Sequence, residues 1–291
     1  MNVGFDHQLL SSFYLWSEDR LNYFSEAYEG PISQVFTYYD SVDIPSNYNA
    51  FYCPYRQLVS ASDKISVNNY VNIEGNQVFD KDGIYIDYGQ GRVLVDKDTH
   101  GDSTTLSITG DFAYKTVNVY TTDETEENII LNSDFLISPS NETYLQSRSA
   151  IEEKTYTIPA VFLTLANSEN YPFAFGGLDE TKVNIRAIVI SESNYILDGV
   201  LSLFRDSARV SVPLIDFEDF PYGEFSHVKT HPYNYSDTIS NSTSFGFIDN
   251  VRVSKINDRA TERITSSKDF KVGFIDFSVS KVRNPRILYK R

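Results

Sequence analysis

The stretch DKDTHGD, residues 96–102, sets carboxylates at alternate positions ahead of a glycine, an arrangement that could hold calcium. A calcium loop of the helix-flanked kind needs oxygens at its first, third and fifth positions, glycine at the sixth and a bidentate glutamate at the twelfth. Asp96, Asp98 and Gly101 fit, but His100 replaces the usual Asp or Asn and the twelfth position is Ser107. Strands, not helices, are expected on both sides. An aspartate-rich turn between Val95 and Leu106 explains the same residues without an ion, and the segment is read that way. DKDG at 80–83 is read as a second turn of this kind.

The other reactive residue types lead to the same conclusion. His227 and His231, in HVKTHPY, stand four apart, a spacing that shares a metal on a helix. Pro232 follows, no apolar helical stripe accompanies them and no HExxH pattern is present, so they are read as loop histidines. Cys53, the one cysteine, excludes an internal disulfide and is read as a small half-buried filler. Gly176-Gly177 forms neither a dinucleotide fingerprint nor a phosphate loop; it reads as a turn, with Phe173 and Phe175 as buried anchors. No serine occupies a nucleophile elbow, and carboxylates are too numerous for any pair to mark acid–base chemistry. The chain is therefore expected to be non-enzymatic, with no catalytic residue, metal or cofactor.

Composition narrows the classes further. The chain has 291 residues, 41% of them hydrophobic, which is globular rather than disordered. A formal net charge of -15 repels nucleic-acid backbones and anionic membranes. No apolar run approaches the roughly 20 residues that span a bilayer. The opening MNVGFDHQLL lacks the parts of a signal peptide, so folding in a reducing cytoplasm is expected. Asn141, Asn234 and Asn241 begin N-x-S/T sequons, read as accidents of an Asn- and Ser-rich chain. The charge is uneven: TDETEEN (122–128) is acidic, while KVRNPRILYKR closes the chain with Lys281, Arg283, Arg286, Lys290 and Arg291. A solvated tail is the default reading. The alternative is an arm, including Tyr289, that docks on the acidic face of a neighbouring subunit.

The elements that must position these residues follow from periodicity. Leu10, Tyr14, Ser17, Leu21, Phe24 and Tyr28 predict a helix, with Asp6 as N-cap, Gly30-Pro31 as its stop and Trp16 at the edge of the stripe. Residues 33–121 turn to period two. GIYIDYGQGRVLVD predicts a hairpin, and the parity change between Tyr114 and Val117 predicts a bulge or short turn. Residues 122–155 read as an acidic, polar linker. Residues 156–291 predict strands at 183–190 and near Pro159, and a helix capped by Ser193 or Asn194 with Ile196, Val200, Leu203 and Phe204 on one side. Two closing strands, FGFIDNVRVSK and FKVGFIDFSVSKV, complete that half. Gly199 within the helix predicts a close backbone contact. The fold class is α+β: an N-terminal helix (1–32) and an antiparallel β-domain (33–121), then a domain with one helix on a mostly antiparallel sheet.

The strand VNIRAIVIS, the helix NYILDGVLSLFRD, the strand VSVPLI and the pair FIDNVRVSK and GFIDFSVSK, in this order, resemble the tail-terminator and neck proteins of tailed bacteriophages. The opening helix LLSSFYLWSEDRLNYF is similar to one that recurs in them. The resemblance covers most of the chain as an arrangement of elements and rests on no short motif. It implies a homo-oligomeric ring, usually sixfold, in the neck or at the head-proximal end of the tail. Other virion proteins would be its neighbours, with DNA passing nearby unbound and no membrane involved. It implies assembly in the host cytoplasm into the virion, and it supplies no catalytic residues. The rival from another class is a receptor- or carbohydrate-binding module whose exposed tyrosines stack on sugars, with DKDTHGD holding calcium. A hydrolase of cell-wall polymers using a carboxylate pair is the third reading.

Overall fold

The computed structural model describes residues 4–40, 44–53, 57–60, 68–81, 83–137, 155–172, 178–222, 233–256 and 270–283. The chain is α+β and mostly strands. It opens on α1 (Phe5–Asp19), which continues through a π-helical turn over Arg20–Phe24. Seven strands follow: β1 (Tyr28–Tyr38), β2 (Tyr48–Tyr52), β3 (Tyr70–Ile73), β4 (Asn76–Phe79), β5 (Ile84–Asp87), β6 (Arg92–Asp96) and β7 (Ile108–Lys115). They form one antiparallel, barrel-like sheet in the order β4-β3-β7-β1-β2-β6-β5.

Period two fills its interior. In the β5–β6 hairpin Ile84 faces Val95 and Ile86 faces Val93, and all four are fully buried. Gly91 turns the chain at a φ of 61°, where a Cβ would be strained. Phe112 meets Phe36 and Tyr88 edge-on, with ring centroids 5.9 and 6.1 Å away. Each such ring contributes about 1.5–3 kcal/mol by leaving water.

The parity change after Tyr114 is where the chain changes sheets. A bend at 116–117 leads into β8 (Asn118–Thr121), which pairs in parallel with β11 (Ala160–Pro172). β11 belongs to a second, six-stranded sheet with β12 (Asp179–Ser191), β13 (Ser211–Pro213), β14 (Phe245–Lys255) and β15 (Lys271–Arg283), ordered β13-β14-β15-β12-β11-β8. All its pairings except β8–β11 are antiparallel.

One face of this sheet carries Val183, Ile185, Ala187 and Val189, each with 0% exposure, beneath α1 and α4 (Asn194–Arg205). The Ser193 hydroxyl accepts from the Ile196 amide at 3.3 Å and caps α4 as expected. The buried side of α4 is Leu197, Val200, Leu201 and Phe204, one position round from the predicted stripe. Gly199 makes no close backbone contact: a Cβ there meets nothing within 4 Å. The tight glycine is Gly273 of β15, where a Cβ would stand 3.0 Å from Leu201 and 3.2 Å from Leu197.

The opening helix differs from its expectation. Gly4 occupies the N-cap position, the helix ends well before Gly30-Pro31, and β1 runs through that dipeptide. From Ser12 to Ser17 nearly every side chain is buried, including Trp16, because α1 lies between layers and not on a surface. Phe13 contacts Trp16 at 5.0 Å and Phe277 of β15 at 4.9 Å, and Trp16 approaches Phe204 of α4 at 6.3 Å. The opening helix thus rests on the second sheet, against β8, β11 and β13.

Residues 122–155 are more than a connection. They contain α3 (Glu126–Asn132), capped by Thr125, and β9 (Asp134–Ile137), which pairs in parallel with β10 (Thr155–Ile158). Ile129 and Ile130 close a separate apolar cluster with Tyr120, Phe162, Ile188, Ile190 and Val272 on the opposite face of the second sheet. Residues 138–154 of the expected linker lie outside the described residues.

Candidate functional site

DKDTHGD folds as turn chemistry. Lys97–His100 form a single helical turn, α2, which the strand-flanked expectation did not include. The Asp96 carboxylate caps it, accepting from the Asp98 amide at 3.1 Å and from the Thr99 hydroxyl at 2.9 Å. Gly101 ends the turn at a φ of 80°. Asp102 accepts from the Asn49 amide at 3.2 Å and lies 3.5 Å from the Lys97 ammonium. Protein donors therefore occupy the Asp96 and Asp102 carboxylates, and the described residues contain no group of three or more His, Cys, Asp or Glu placed to hold a metal.

The terminal basic residues divide. Lys281 and Arg283 are the last cations of β15, paired in register with Thr181 and Asp179 of β12. Their charged groups stand over the Phe5 ring of α1 at 6.0 and 4.6 Å, and Arg283 donates to Asn170 at 3.1 Å. Burial, followed by the adjacent Arg283, lowers the Lys281 ammonium from its ordinary value, with Asp216 opposing. Both side chains fasten the first helix to the last strand. Arg286, Tyr289, Lys290 and Arg291 lie outside the described residues, as do His227, His231, Phe173, Phe175, Gly176, Gly177 and Asn141. In the acidic patch, Glu126 is 3.0 Å from Arg186, which also approaches Asp276 at 3.4 Å.

Two buried polar constellations went unmarked in the sequence. Glu18 of α1, 5% exposed, accepts from the Tyr14 hydroxyl at 2.6 Å and from the Lys115 ammonium. Tyr222 and Tyr233 feel the same carboxylate and Tyr235 feels Asp19, and burial first, then these carboxylates, hold all four tyrosine hydroxyls above their ordinary value. In the β5–β6 hairpin, Arg92 donates to Asp87 at 2.7 Å and to the Tyr52 hydroxyl at 2.9 Å. Burial alone would lower the Arg92 guanidinium, but Asp87 and Tyr52 outweigh it and hold it up. Both networks are sealed from solvent, which suits structural locks and gives a substrate no entry. Cys53, expected to be half-buried, is fully buried in the main core, its amide donating to Gly91 O.

The rim of the second sheet is open along part of its length. β11 pairs with β8 only over 160–163, so Thr164–Pro172 have a strand on one side only among the described residues. On the opposite edge β13 covers only Phe245–Phe247 of β14, leaving Asn250–Lys255 open in the same sense. The short outer edge of β8 is treated differently. The Gln57 side-chain amide donates to Val119 O at 2.7 Å and accepts from Val119 N at 2.9 Å, filling the place of a neighbouring strand. On the face turned away from α1 and α4, the part beyond the apolar cluster of Ile188, Ile190 and Val272 is polar and mixed in charge. Arg186, Asp276 and Arg252 align across it, as do Asn184, Ser278 and Asn250.

The chain matches no protein-family model, and a search of curated proteins returns no match.

Proposed function

We propose that this chain is a non-enzymatic structural subunit of a bacteriophage particle, closing into a ring in the neck or at the head-proximal end of the tail. The observation that carries this reading is the six-stranded sheet with open stretches on β11 and β14, which β8 and β13 cover only in part. Exposed strand edges are templates for pairing and are normally blunted or covered. β11 and β14 run antiparallel to each other across the sheet, so the β14 edge of a second copy laid against β11 makes an antiparallel ladder. The contact is heterologous, and a heterologous contact that closes makes a ring. The polar part of that face then turns toward a lumen. Asp276 between Arg186 and Arg252 interrupts any continuous cationic track for phosphates, which suits DNA that passes without binding.

Native mass measurement and negative-stain images of the purified chain at micromolar concentration test the reading. The expected result is a closed ring of several subunits with a central opening. Hydrogen exchange then locates the contact, since outward amides of 164–171 and 250–255 gain protection on closure. A monomer whose two edges exchange freely at all concentrations overturns the proposal.

A further inference from the structure

We infer that the seven-stranded sheet carries a cleft for a neutral saccharide, a binding function separate from the assembly role proposed above. The cleft measures about 390 Å³ and lies where the chain passes from β1 to β2; Tyr38, Tyr39, Asp40, Ser46, Tyr48 and Lys97 are part of its lining. Strand alternation explains its aromatic content. Along β2, Phe51 joins the main core, while Tyr48, Ala50 and Tyr52 join Leu94, Tyr85 and Tyr39 in a small cluster on the outer face. The main core does not require rings there.

Two of these rings are fixed in place. Tyr39 stands edge-on to Tyr52 with centroids 5.4 Å apart and planes at 87°, and Tyr48 meets Tyr85 at 5.6 Å and 69°. A ring already held by a neighbour loses little side-chain freedom when it takes a ligand. The polar groups beside them complement each other chemically. Asp40 and Ser46 are exposed, and the Lys97 ammonium lies 3.5 Å from Asp102.

A pyranose matches this lining. Its C–H face is apolar and stacks on tyrosine, while its hydroxyls donate to a carboxylate such as Asp40 and accept from an ammonium such as Lys97. The nearby Asp40 and Asp102, on a chain of net charge -15, oppose an anionic ligand, so the class is a neutral sugar.

Saturation-transfer NMR on the full chain tests the inference, with glucose, galactose, mannose, N-acetylglucosamine and cellobiose each at millimolar concentration. The expected result is transfer to the ring protons of at least one sugar. That transfer falls at least tenfold in apparent affinity in Tyr48→Leu and Asp40→Ala and is unchanged in Tyr195→Ala, an exposed tyrosine on α4. If Tyr48→Leu does not fold, the exposed Asp40→Ala decides. No transfer from any of the sugars overturns the inference. Transfer that survives Asp40→Ala, or that is lost equally in Tyr195→Ala, overturns it too.

Discussion

Glu18 and Lys115 join the first helix to the end of β7 where almost no water reaches, with Tyr14 donating to the same carboxylate. A buried pair of this kind tolerates the loss of both charges better than the loss of one. Lys115→Met therefore lowers stability by about 3–5 kcal/mol, and Glu18→Gln combined with Lys115→Met loses less than the sum of the single changes. Urea denaturation of the four species measures the coupling. The surrounding hydroxyls set a pH limit. Tyr14, Tyr222, Tyr233 and Tyr235 all sit above the ordinary 10.0 in the folded chain, chiefly through burial. Above that value the unfolded chain releases protons that the folded chain still holds, so the folded state is penalised as pH rises. Stability attributable to these groups is fully present below pH 10.0 and is lost above it. A spectroscopic phenolate titration followed alongside circular dichroism checks this: these tyrosines ionise together with unfolding.

At the scale of the element, the two glycines around α4 carry opposite expectations. Gly199 faces open space, so Gly199→Ala raises stability by about 0.5–1 kcal/mol through helix propensity. Gly273 lies under Leu197 and Leu201, so Gly273→Ala pushes α4 off the sheet and costs about 1–3 kcal/mol. Thermal unfolding of the two variants separates them by sign. Periodicity alone revealed the β5–β6 hairpin, the α4 cap at Ser193 and the parity break before Val117, because each is a local pattern with a local cause. It missed the burial of α1 because a stripe presumes a helix with one wet face, and this one has other elements on nearly every side. It missed the role of Gln57 because a side chain standing in for a strand leaves no periodic trace. Lys281 and Arg283 looked like a tail because charge masked the alternation that continues through FSVSKVR to Arg283. The tyrosine cleft was illegible for a different reason: Tyr39, Tyr48 and Lys97 meet only once β2 pairs with β1 on one side and β6 on the other.

For the whole molecule, a charge of -15 sets a condition on assembly. Copies brought edge to edge repel one another, and the repulsion is long-ranged when the Debye length is about 30 Å at 0.01 M salt but short at about 8 Å at 0.15 M. If the proposed ring forms, its fraction in sedimentation velocity therefore rises between those two salt concentrations, opposite to the behaviour of a nucleic-acid complex. The seating of Phe13 on Phe277 has a consequence for how the protein is made. The first helix is synthesised long before the strand that Phe13 rests on. Until β15 is made, Phe13 lacks that partner and the second sheet lacks its central strand, whatever β8 and β11 already offer the helix. Closure over so long a sequence separation is slow, and the waiting helix is a natural client for chaperones that hold apolar segments.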